Sequence, residues 1–258
     1  MIISTPAIHH ALYSTNSNTP PANNEVADAP IAIRTKRGIA DKYRLWPQNS
    51  TITIAFMDTP PTHRALIQKH IEKNYAHLIN LKLNFVEGTQ GDIRISTSAD
   101  IAGDWSVVGT DALTVPANEP TMHLDPHTTE DIFKMNILHE FGHALGLRHE
   151  HKHPDRTLDF NLPKMYELYK KQFNLDKIDV YEQILEKLNP ADIIASGYDP
   201  KSIMHYNLSR LILWQQPSTG YNFTLSKEDE ANLQSIYPHP KPGSVPVRPL
   251  RRGIRHAD

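Results

Sequence analysis

One stretch constrains this chain more than any other: His139-Glu140-Phe141-Gly142-His143-Ala144-Leu145-Gly146-Leu147-Arg148-His149. It reads H-E-x-x-H-x-x-G-x-x-H. On a helix, His139 and His143 are four residues apart and project from one face, one turn above the other. Two imidazole nitrogens can then reach one metal at about 2.0–2.1 Å. Glu140 leans toward the same pole. It sits too far round the helix to be a natural third ligand, but it is placed to touch a water on the metal. Gly146 takes a left-handed backbone at low cost, so it can end the helix and turn the chain. That turn brings His149 back as a third ligand. Three protein ligands with a fourth position left for water is the arrangement of a catalytic zinc site. The spacing therefore predicts one Zn2+ per chain, held by His139, His143 and His149. The competing reading is an amphipathic core helix with surface histidines. Adding Gly146 and His149 to a bare H-E-x-x-H lowers the odds of accident by a factor of roughly several hundred.

A second element supports the first. Ser202-Ile203-Met204-His205-Tyr206 has the S-x-M-H-Y pattern of a Met-turn, in the order after the zinc motif that metzincins show. Glu150 follows the third histidine directly, and Asp155-Arg156 come a little later. With these residues the sequence resembles the astacin family of zinc endopeptidases. It matches every fixed position of the family pattern H-E-x-x-H-x-x-G-x-x-H-E. The resemblance runs from about Tyr43 to Tyr237 and takes in Gly91–Ile95, Trp105–Gly109, Leu225-Ser226 and Ile236–Pro238.

The resemblance implies an α+β, metzincin-like zinc protease. A twisted, mostly parallel sheet and two long helices lie above a cleft, with the Met-turn and a C-terminal helix below it. Glu140 would be the general base. Tyr206 would be a switchable fifth ligand that swings to the oxyanion when substrate arrives, and Trp105–Gly109 would be the cleft-edge strand. Such an edge can hold an extended protein or peptide substrate by β-addition. Family zymogens use an upstream acid as a temporary ligand. Glu25, Asp28 and Asp41 are available here, without the usual pattern around them.

Composition agrees with a globular enzyme and narrows the partners. The chain has 258 residues, a formal net charge of −2 and 39% hydrophobic residues. It is long enough for one substantial domain, and nothing in its charge points to nucleic acid or a membrane surface. No apolar run approaches a membrane span. The start Met1-Ile2-Ile3-Ser4-Thr5-Pro6 lacks the basic and apolar regions of a secretory signal. A soluble monomer is expected, secreted or exported by a route without a recognisable signal peptide, with retention in the cytoplasm as the alternative. There is no cysteine. Packing and the metal must supply the stability that disulfides give animal members of the family.

Three segments follow. Residues 1–38 are rich in Ser, Thr, Asn and Pro and read as a flexible N-terminal segment that could serve as a pro-segment. Residues 39–238 read as the catalytic domain, and 239–258 as a Pro/Arg-rich tail. Within the domain, Ile52, Ile54 and Phe56 alternate as a strand, as do Leu81, Leu83 and Phe85, and Ile93 and Ile95. Trp105–Thr110 and Thr121–Asp125 suggest two more strands. A helix is expected after Pro61, capped by Thr62, with Ile67, Ile71, Tyr75 and Leu78 on its inner face. The zinc helix should open near Thr128 or Thr129, with Glu130 and Asp131 in its first turn. Weaker helical stretches lie at 164–173 and 179–188. A last helix begins near Ser226, which has a capping-box spacing to Asp229.

Individual residues divide between chemistry and packing. Met204 reads as an apolar floor beneath the imidazoles rather than a ligand. Tyr206 is either the oxyanion donor or a core tyrosine. Glu150 reads as structural. His123, His127, His151, His153 and His205 read as bystanders. The leading function is a zinc-dependent endopeptidase. The alternative is a non-catalytic zinc-stabilised peptide-binding module, which would have no need for Glu140.

Overall fold

The computed structural model describes residues 2–4 and 38–240. Its elements are, in chain order, β1 (Ile2–Ser4), β2 (Ile39–Asp41), β3 (Thr51–Phe56), α1 (Pro61–Tyr75), β4 (Lys82–Glu87), β5 (Ile93–Ser96), β6 (Trp105–Val107), β7 (Met122–His123), α2 (Glu130–Ala144), α3 (Leu162–Phe173), α4 (Lys177–Val180), β8 (Ile193–Ala195) and α5 (Lys227–Ile236). One sheet runs in the order β1-β6-β7-β5-β3-β4. β3 pairs in parallel with β4 and β5, and β5 with β7, whereas β6 and then β1 close that side antiparallel. β2 and β8 form a separate antiparallel pair. This is the α+β, mostly parallel arrangement expected. Most of residues 1–38, with Glu25 and Asp28, and residues 241–258 lie outside the described residues.

β3 sits in the interior of the sheet, and Ile52, Ile54, Ala55 and Phe56 are all buried. Parallel strands covered on both faces need such continuous apolar character. α1 opens differently from expectation. Pro60 is its cap, Pro61 its first residue, and no side chain caps it. Proline is tolerated there because the missing N–H would have had no helical partner anyway. Ile67, Ile71 and Tyr75 form its buried face, and Leu78 is buried just beyond its end. The Tyr75 hydroxyl donates to the Leu138 carbonyl at 2.6 Å, and its ring meets Phe141 edge-on at 5.1 Å. These two contacts bind α1 to α2.

Other expectations needed shortening. The strand from Trp105 stops at Val107, because Gly109 adopts φ +50° and starts a tight turn through Thr114. The 121–125 strand reduces to Met122–His123. The 179–188 helix becomes α4 plus a wide turn at 181–185, closed by Glu186 N–H to the Tyr181 carbonyl. Two apolar cores result. The larger lies among the sheet, α1, α2 and α5 and includes Ile203 and Met204. The smaller gathers α3, the 181–185 turn, Leu208, Ile212 and Tyr206. The Met-turn therefore spans the junction of the two cores. No helix among the described residues is long and apolar enough to cross a membrane.

Asp104, buried at the entry to β6, ties the sheet to α2. Its carboxyl accepts from the Asp125 N–H at 2.9 Å and from the Asn136 side chain at 2.7 Å. Burial pushes its pKa up to about 7. A folded-state pKa above the unfolded one means stability that is full below the ordinary carboxylate pKa and lost as pH rises toward 7. Thermal melts at about pH 4 and about pH 8 should show that loss, on the order of a few kcal/mol at most. Asp104→Asn should flatten it. An equal pH slope in the variant would assign the slope to other groups.

Candidate active site

α2 is built to deliver two imidazoles and then turn. The Thr129 hydroxyl accepts from the Ile132 N–H, and Glu130 and Asp131 occupy the first turn. Acids there suit the positive end of the helix dipole. At the other end, the Gly146 N–H donates to His143 and the Leu147 N–H to Gly142, at 2.8 and 2.9 Å. That pair of bonds is a Schellman motif. Gly146 stands at φ +97°, and a Cβ there would also meet the Leu45 side chain at 2.9 Å. The chain leaving the turn is held against β2, with the Asp41 N–H on the Gly146 carbonyl and the Arg148 N–H on Ile39. His149 is thereby returned to the face of α2 that carries His139 and His143.

The three imidazoles converge. One ring nitrogen from each of His139, His143 and His149 lies within 4.8 Å of the others, and all three residues are buried. The Nε2 atoms of His143 and His149 are 3.0 Å apart. Nδ1 of His139 donates to the Ile203 carbonyl, and Nδ1 of His143 to the Leu147 carbonyl, each at 2.8 Å. Those bonds fix the tautomer and leave each Nε2 lone pair for a metal. Burial pushes the His139 pKa down to about 4, and burial plus the neighbouring histidines hold His149 well below its ordinary value. Neutral imidazole is the ligating form, and three such nitrogens suit zinc.

Met204 floors the group. A Cβ on Gly142 would come within 2.6 Å of the Met204 sulfur. Glycine at that helix position is thus what lets the sulfur sit directly against α2. The Met-turn is held from below by Asp229 of α5. Its carboxylate accepts from the Ser202 hydroxyl at 2.6 Å and from the Ile203 and Ser226 N–H groups at 2.8 and 2.9 Å. The sequence shows Asp229 only as part of a helix cap. Its second task is invisible there because Ser202 and Ile203 lie far back along the chain.

The other candidates are spread more widely. Glu140, next to His139 on α2, is 1% exposed. The Tyr206 ring lies 4.3 Å from the His149 ring and 6.3 Å from that of His139, centroid to centroid. Burial, with the Glu140 charge adding to it, raises the Tyr206 pKa well above its ordinary value. Glu150 is fully buried and accepts from the Asp199 N–H at 2.8 Å. Burial raises its pKa to about 8. Asp41 is engaged by Arg44 and Arg148, at 2.6 and 3.0 Å, which leaves it poorly suited to a temporary ligand role. His123 faces the carbonyls of Gly103 and Ser98, and His127 pairs with Asp125 at the surface. His151 is not remote: its ring stacks on Tyr206 at 4.1 Å.

Comparison with known proteins follows the same lines. Residues 38–221 match the sequence model of the astacin peptidase family. The chain is 30% identical over 213 residues to zinc metalloproteinase dpy-31 of Haemonchus contortus, covering 78% of this chain and 35% of that protein. It is 33% identical over 212 residues to the dpy-31 enzyme of Caenorhabditis elegans, covering 78% of this chain and 32% of that one. The chain thus spans about a third of the length of these curated relatives. A structure of myroilysin superposes with a TM-score of 0.73 at 32% identity, covering 79% of this chain and 100% of that one. High choriolytic enzyme 1, a hatching enzyme zinc-protease from Oryzias latipes, superposes at 0.53 with 17% identity over 76% of this chain and 94% of its own, a likeness of fold alone. A family match that runs from before β2 to beyond the Met-turn makes this chain a member of the astacin family of zinc metalloproteinases.

Proposed function

We propose that the chain cuts internal bonds of proteins or peptides held extended in its cleft, with Glu140 as general base and Tyr206 as donor to the developing oxyanion. The observation that carries this reading is the buried three-imidazole group with Glu140 beside it on the same helix and Tyr206 packed on its His149 side. His139, His143 and His149 would hold zinc, which would supply a Lewis acid for a carbonyl and for a water near neutral pH. Glu140 then needs only to hold and move a proton. It takes one from the attacking water and hands it to the leaving amine. Tyr206 keeps its hydroxyl proton because burial disfavours the phenolate, so it can donate to the negative oxygen forming on the scissile carbonyl.

An extended substrate is supported by the antiparallel side of the sheet. β6 already takes a short antiparallel strand, β1, along its outer edge, in the register Ile2↔Val107 to Ser4↔Trp105. A peptide adding to that edge would use the same main-chain groups. The test is digestion of denatured casein by the purified full chain, with and without a chelator. New internal chain ends that disappear on chelation and return with added zinc are the expected result. Peptide binding without any cleavage would replace the enzyme reading with the zinc-stabilised binding module.

A further inference from the structure

The structure assigns His151 as a positioning residue for Tyr206, a flat wall that sets the plane in which the tyrosine ring is presented to the metal group. The inference rests on the catalytic reading of Tyr206 given above.

The Tyr206 ring lies between two imidazoles. His149 meets it at 4.3 Å with the planes 60° apart, and His151 lies on it at 4.1 Å and 28°, a stacked contact. Offset stacking of this kind prefers one relative orientation of the two rings. The backbone of Tyr206 has little freedom of its own. Its carbonyl accepts from both the His205 ring and the Thr219 hydroxyl, each at 2.7 Å. His205 is itself held by the Tyr198 hydroxyl at 2.7 Å. With the main chain fixed, rotation about the Tyr206 side-chain bonds is the remaining motion, and His151 bounds it on one face.

A wall is useful only if it does not move. His151 is fully buried, and its Nε2 donates to the Gln183 carbonyl at 3.2 Å. Its own carbonyl accepts from Arg156 at 3.0 Å. Two neighbours reach the same wide turn: Lys152 donates to the Glu182 carbonyl at 2.6 Å, and Arg156 donates to the Leu185 carbonyl. A wide turn leaves carbonyls without helical partners, and donors close behind the third metal ligand take three of them. The segment after His149 is thus clamped to the 181–185 turn, and the His151 ring with it. The stack ends on a ring next to the metal group, which a purely structural clamp would not require.

The experiment is steady-state kinetics of the zinc-loaded full chain on one quenched peptide, with zinc content and a thermal melt for each variant. His151→Leu fills the space without a flat face and should lower kcat roughly ten- to a hundredfold with KM nearly unchanged. His151→Phe restores a flat ring and should recover most of that loss. In a Tyr206→Phe background, where no hydroxyl remains to be aimed, His151→Leu should change kcat by no more than about twofold. Equal kcat for the Leu and Phe variants would overturn the inference, as would an undiminished effect of His151→Leu in the Tyr206→Phe background. Wild-type kcat in Tyr206→Phe itself would remove the catalytic role of Tyr206, and the inference with it. A drop in Tyr206→Phe alongside wild-type kcat in His151→Leu would leave that role standing and overturn only the wall. Where His151→Leu lowers the melt or the zinc content, kcat per folded, zinc-bound molecule is compared among the same variants and decides by the same criteria.

Discussion

Glu140→Gln is expected to keep the zinc, the fold and substrate affinity while lowering kcat by roughly 10²–10⁴-fold. The amide has the shape of the carboxylate and fits the same buried position. It is not a usable base at neutral pH, so the step that fails is proton transfer from water and to the leaving amine. His139 and His143 take their orienting carbonyls from Ile203 and Leu147. Metal content and melting temperature should therefore match the wild type, and KM should move little. A loss confined to kcat is the signature of an interaction used only in reaching the transition state. Wild-type turnover in the glutamine variant, with zinc present, would exclude Glu140 as the base.

Tyr206→Phe should also lower kcat, by about 2.7–4 kcal/mol of transition-state stabilisation if the hydroxyl acts as a single oxyanion donor. The phenyl ring keeps the stack on His151 and the contact with His149, so packing in the smaller core should survive. The ring and the hydroxyl can thus be separated: phenylalanine removes only the donor. A core tyrosine with no part in the reaction gives a different pattern, a lower melt with unchanged kcat. Kinetics on one peptide beside a melt distinguish the two, and the second pattern would return Tyr206 to the core.

What the sequence made legible was what is local or strongly patterned. The spacing of His139, His143 and His149 needs only helix geometry and a glycine turn, and Gly146 indeed stands at φ +97°. Ser226 and Asp229 cap α5 reciprocally, three residues apart. Alternation at Ile52, Ile54 and Phe56 marked an interior strand because successive side chains on a strand point to opposite faces. What stayed hidden depends on partners distant in sequence. Asp229 looked like a cap and also holds the Met-turn. His151 looked incidental because nothing local says that a ring fifty-odd residues later will lie flat on it. Thr62 looked like a cap because its side chain suits one, whereas a proline at the first helical position had already set the entry. The strand from Trp105 was drawn too long because apolar alternation cannot reveal where a backbone must turn aside.

The bonds under the metal group also carry a message about synthesis. A chain leaves the ribosome from its N-terminus, and domains fold as units once their parts have emerged. All three ligands are present once residue 149 is out. The carbonyl that orients His139 belongs to Ile203, whose own N–H waits for Asp229. The hydroxyl of Tyr237 reaches back to the Leu145 carbonyl beside the turn that returns His149 and accepts from the Trp46 N–H. A nascent chain halted before residue 229 would carry all three imidazoles and lack the carboxylate that holds the turn orienting His139. In the order of synthesis, the three imidazoles thus emerge well before the carboxylate that holds the turn beneath them.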